Sequence, residues 1–128
     1  MKYFFEKTID GSFETAKEKI TKALKEQGFG ILTEIDLKTT LKNKLDVEFK
    51  PYTILGACNP NFAYQALQKE DKIGLMLPCN VIVQDAGGGK TTVAAVDPVI
   101  SMKGVENPDL EGIASEVRQK LQFAIEAI

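Results

Sequence analysis

Two short segments concentrate the reactive residue types of this chain: Gly56-Ala57-Cys58-Asn59-Pro60 and Leu77-Pro78-Cys79-Asn80-Val81. They hold its only two cysteines, each followed by an asparagine. A thiol is a soft metal ligand and, once ionised, a nucleophile; a carboxamide both donates and accepts hydrogen bonds. Asn59-Pro60 also reads as a helix start, because asparagine caps and proline fits the first turn. Cys58 then precedes a helix N-terminus, where free amides and the helix dipole favour an anion and lower a thiol pKa. The simpler alternative makes Cys58 a small apolar residue packed where strand meets helix.

Other chemistries fall away. The chain has no histidine, which excludes Ser-His-Asp and Cys-His catalysis and histidine-containing metal sites. Two thiols alone do not complete a tetrahedral zinc site, so the metal is left open, with Cys58 and Cys79 as the thiol ligands available. Gly89-Lys90-Thr91 matches the end of a phosphate-binding loop, but Gln84 stands where its first glycine belongs and a strand follows instead of a helix. That segment is a hairpin tip. Glu34, Asp36 and Asp97 read as strand ends or helix caps rather than general acids or bases. Tyr52 and Tyr64 are candidates to line a pocket.

A length of 128 residues, 44% of them hydrophobic, suits one domain over residues 1–128 with a core that needs no staples. The formal charge of -2 argues against nucleic-acid binding, and lysines 17, 19, 22 and 25 are interleaved with glutamates as on a solvated helix face. No apolar run reaches the roughly 20 residues that cross a bilayer. The N-terminus lacks the pattern of a secretory signal. The expected location is the cytoplasm, where both thiols stay reduced.

The elements that must position the two motifs follow from periodicity. Residues 2–9 form a first strand, and Ser12 caps a helix to Gln27 that carries Phe13, Ala16, Ile20, Ala23 and Leu24 on one face. Gly28 ends it. Residues 30–35 form a second strand, with Ile31 and Ile35 on one face and Leu32 on the other. A short helix over 36–45 follows, then a strand over 47–57 in which Pro51 implies an edge or a bulge. A short helix runs from Asn59-Pro60 to Lys69. Strands at 79–84 and 92–96 are joined by the glycine turn, and Asn107-Pro108 opens a last helix with Leu110, Ile113, Val117, Leu121, Ala124 and Ile128 at helical spacing. The order β-α-β-β-β-β-α, with short extra helices, predicts an α+β domain: a mainly antiparallel sheet with two long helices on one face. If the strands that carry the motifs are antiparallel, both cysteines reach the same end of the sheet.

Gly28-Phe29-Gly30-Ile31, Glu34-Ile35-Asp36, the two cysteine motifs with Ala63 and Ala66-Leu67 between them, and Asp97-Pro98 together resemble the domain-of-unknown-function 302 family over essentially the whole chain. The resemblance implies a curved antiparallel sheet backed by helices, similar to the TATA-binding-protein-like group, and a homodimer. It implies no activity, because the family has none assigned, and fold does not carry DNA binding with it.

The expected function is therefore a cytoplasmic, non-catalytic homodimer that binds a small molecule or a soft metal ion at Cys58, Asn59, Pro60, Pro78, Cys79 and Asn80. The rival expectation is a thiol redox protein or thiol-dependent enzyme with Cys58 as nucleophile and Cys79 as its resolving partner, which requires an acid-shifted Cys58. A third is that both motifs are architectural.

Overall fold

The computed structural model describes residues 2–128. Its five strands are β1 (Phe4–Asp10), β2 (Gly30–Asp36), β3 (Tyr52–Cys58), β4 (Cys79–Gly87) and β5 (Lys90–Val96). Its α-helices are α1 (Phe13–Glu26), α2 (Leu37–Leu45), α3 (Pro60–Lys69), α4 (Pro98–Ser101) and α5 (Glu111–Glu126), with three short 3-10 turns between them. The strands form one sheet in the order β1-β5-β4-β3-β2, antiparallel at every pairing. The α1 crossover carries the chain from one edge of this sheet to the other. The architecture is α+β, as the element order predicts. Among the described residues, no helix is long and apolar enough to cross a membrane.

Period-2 alternation gives the sheet two faces. On one, Leu55, Ala57, Cys79, Val81, Val83, Val93 and Ala95 are buried against Ile20 and Leu24 of α1 and Val117, Leu121 and Ile125 of α5. Burying side chains of this kind stabilises by roughly 1.5–3 kcal/mol each, so this layer fixes which way every strand faces. Ser12 caps α1 by accepting from the Thr15 amide at 3.1 Å, and Gly28 ends it at φ +88°. Among the described residues, both long helices, α1 and α5, pack on this one face.

Two local readings differ from the sequence, and a third, Asp97 as a helix cap, holds at a short helix that periodicity did not predict. Ile31 pairs with Ala57 toward the helices, but a bulge at Leu32 pushes Ile35 to the other face opposite Ile54. The extra residue reverses the alternation that would have put Ile31 and Ile35 together. Pro51 precedes β3, which is an interior strand, so its missing N–H interrupts no ladder. Asp97-Pro98 begins the additional helix α4, with Asp97 Oδ1 accepting from the Val99 amide at 3.0 Å.

Candidate functional site

The register Ala57↔Cys79 brings the two motifs side by side at one end of the sheet. Cys58 and Cys79 line the same cavity, walled by Phe29, Phe62, Leu77 and Met102. That cavity is about 30 Å³, room for a water but far short of the roughly 300–1,000 Å³ of a ligand pocket. Both thiols are free. Burial pushes the Cys58 thiol up, and it pushes Cys79 up to about 11, with the neighbouring Cys58 adding to the effect. This direction is opposite to the acid shift that an activated nucleophile needs, because an apolar setting disfavours the thiolate.

The neighbouring motif residues are occupied in holding the fold. Asn59 sits at the cap position of α3, but its side chain makes no cap bond. It donates instead from Nδ2 to the Gln27 carbonyl at 3.3 Å, tying the end of α1 to the start of α3. The capping role expected of it is replaced because a C-terminal carbonyl of α1 lies within reach. Pro60 opens α3. A Cβ placed on Gly56 would overlap Thr33 Oγ1 and stand 2.7 Å from Pro78 Cγ, so only glycine admits both neighbours there. Leu77-Pro78 is a cis peptide. Among the described residues, no group of three or more cysteines, aspartates or glutamates is placed to hold a metal ion.

Asn80 goes elsewhere. Strand alternation turns it away from Cys79 onto the open face of the sheet, where Gly56 is its partner. The two thiols and two amides therefore do not share one pocket: Cys58, Asn59 and Cys79 lie around the small cavity, whereas Asn80 stands on the other side of the sheet. Tyr64 is exposed on α3.

The open face holds a groove of about 480 Å³, lined by Phe4, Glu6, Tyr52, Asn80, Ile82, Gln84, Ala94 and Val96, with Tyr3 at its rim. The register orders these residues into rows that cross the strands. Glu6 pairs with Ala94, Ala94 with Ile82, and Ile82 with Ile54. On one side Phe4 pairs with Val96; on the other Thr8 pairs with Thr92, Thr92 with Gln84, and Gln84 with Tyr52. A small floor at Ala94 between taller rows makes the trough. Ala94 is only 7% exposed although it faces outward, because those rows stand over it.

Of this groove, sequence reasoning singled out only Asn80 and Tyr52. A signal was present. The outward positions 80–84 of β4 and 92–96 of β5 (Asn80, Ile82, Gln84, Thr92, Ala94, Val96) carry no charge, the first charge on that face of β5 being Lys90 at its start, whereas a solvated sheet face ordinarily carries several.

No curated protein matches the chain. A crystal structure of an uncharacterized conserved protein DUF302 from Bacillus stearothermophilus superposes with a TM-score of 0.91 at 24% identity, covering 99% of this chain and 98% of that one. At that identity the likeness shows the fold. The family described as domain of unknown function DUF302 matches residues 5–128. The chain belongs to the DUF302 family.

Proposed function

We propose that this protein is a non-catalytic binding module whose working surface is the open face of the sheet, with a small ligand lying over Ala94 and Ile82. The observation that carries this reading is the groove of about 480 Å³, with an apolar floor and the amides of Asn80 and Gln84 on either side. The two cysteine motifs serve it as framework: Pro78, packed over Gly56, sets the end of β4 from which Asn80 projects. The raised thiols weigh against redox chemistry at Cys58 and Cys79, and a reducing cytoplasm suits two unpaired thiols. Glu6, the one charged side chain of the lining, weighs against a nucleic-acid backbone.

Backbone amide shifts recorded against a fragment library test the reading. Hits that move residues 80–84 and 92–96, and that are lost in Gln84→Ala but kept in Cys58→Ala, support it. Hits confined to the surroundings of Cys58 and Cys79 overturn it.

The same face favours a second reading, a homodimer contact. Five strands about 4.8 Å apart and seven residues at about 3.3 Å each make a surface of roughly 550 Å² before side-chain relief is counted. A standard interface takes about 800 Å² per partner. The exposed Leu75, Met76 and Phe49 at the ends of this face extend its apolar area toward that size. Sedimentation equilibrium decides: a dimer that Ile82→Glu dissociates supports this reading, and a monomeric wild type refutes it.

A further inference from the structure

We infer that the open-face groove selects a planar organic cation, its ring lying across the Ala94–Ile82 floor and its charge toward Glu6. The inference rests on the groove being the binding surface and adds the ligand class.

Charge argues first. Among the described residues, Glu6 is the only lining side chain with a formal charge at neutral pH, and it stands at the end of the central row beside Ala94. Among the described residues no lysine or arginine lines the groove, so an anion on the Ala94–Ile82 floor faces the Glu6 carboxylate, while the Lys2 ammonium lies outside the lining, over the Phe4 ring. A metal ion finds too few donors. The Phe4 ring face attracts positive charge, and a cationic ligand seated there displaces the Lys2 ammonium, which sits 5.6 Å from the ring centroid.

Shape argues next. The trough runs across the strands from Glu6 over Ala94 to Ile82, about 10 Å at two strand spacings. Phe4 with Val96 and Tyr52 with Gln84 rise on its two sides, and the floor between them is a single methyl group and one aliphatic side chain. A slot of that length with an apolar floor and aromatic walls accepts a flat body. Asn80 and Gln84, two residues either side of Ile82, stand about 7 Å from it along β4 and offer neutral donors and acceptors to groups at the margins of that body. Neutral amides add no charge preference, so among the described lining side chains only Glu6 supplies one.

Two dyes of opposite charge test this. Thioflavin T is a planar cation and anilinonaphthalene sulfonate an anion of similar size; each is titrated by fluorescence against wild type, Glu6→Gln and Ala94→Leu. The expected result is saturable thioflavin T binding, weak anion binding, a thioflavin T affinity lowered about three- to fivefold in Glu6→Gln, and binding lost in Ala94→Leu. Circular dichroism confirms that both variants remain folded. Equal affinity for the two dyes, or a Glu6→Gln protein that binds thioflavin T as wild type does, overturns the charge preference while leaving the groove as the site if Ala94→Leu blocks both. Dye binding indifferent to Ala94→Leu, or no response to either dye, overturns the groove reading together with this inference.

Discussion

The architectural reading of the cysteine motifs makes its sharpest prediction at Gly56. Replacing it with alanine adds one methyl group on the open face, where it meets Thr33 Oγ1 and, at 2.7 Å, Pro78 Cγ. The hydroxyl of Thr33 turns away at little cost. The Pro78 ring cannot, because its torsions are closed and its neighbour Cys79 is pinned in the core. Overpacking of this kind costs about 1–3 kcal/mol. The alanine recovers about 0.4–1 kcal/mol by restricting the unfolded chain, which leaves a net loss of about 1.3 kcal/mol at the midpoints and of about 2.6 kcal/mol at most. For a domain of this size that lowers Tm by roughly 4–8 °C. Urea unfolding of Gly56→Ala, Thr33→Ala and the double variant measures it. The double variant regains only the share owed to Thr33, since the contact with Pro78 persists. A Gly56→Ala protein as stable as wild type would refute the argument that this glycine exists to admit Pro78.

Three more outcomes are expected. The raised Cys79 thiol gives stability that is fully present below its unfolded pKa of 9.0 and is lost as pH rises toward the folded value of about 11; the pH dependence of unfolding, compared between wild type and Cys79→Ala, should differ by about 2–3 kcal/mol across that window. Alkylation with iodoacetamide at neutral pH should label Cys58 more slowly than a free thiol peptide and leave Cys79 unlabelled until the chain unfolds; rapid labelling of Cys58 would restore the redox reading. Arg118 donates from Nε to the buried Asp97 at 3.1 Å and stacks over Phe5, so Arg118→Met should cost about 1–2 kcal/mol in urea unfolding, the low end for a buried carboxylate because the arginine is itself 44% exposed. No change in that variant would mean that the Val99 amide alone satisfies Asp97.

Local sequence settles the features that act over a few residues. Ser12 and Gly28 bound α1, Asn59-Pro60 opens α3, and three glycines at positive φ turn β4 into β5. Spacing on α1 and α5 named most of the residues that meet the sheet. Those features come from caps, fixed or free φ angles and apolar periodicity, which need no distant partner. The other features arise from contacts between distant segments. A bulge at Leu32 moved Ile35 to the other face, and a nearby carbonyl at Gln27 drew Asn59 from its cap. Strand order laid Glu6 of β1 in line with Ala94 and Ile82 of the central strands, and so made a groove from residues that no local spacing connects. Pairing between strands far apart in the chain depends on which faces bury together, and that balance is struck only when the whole sheet closes onto its helices.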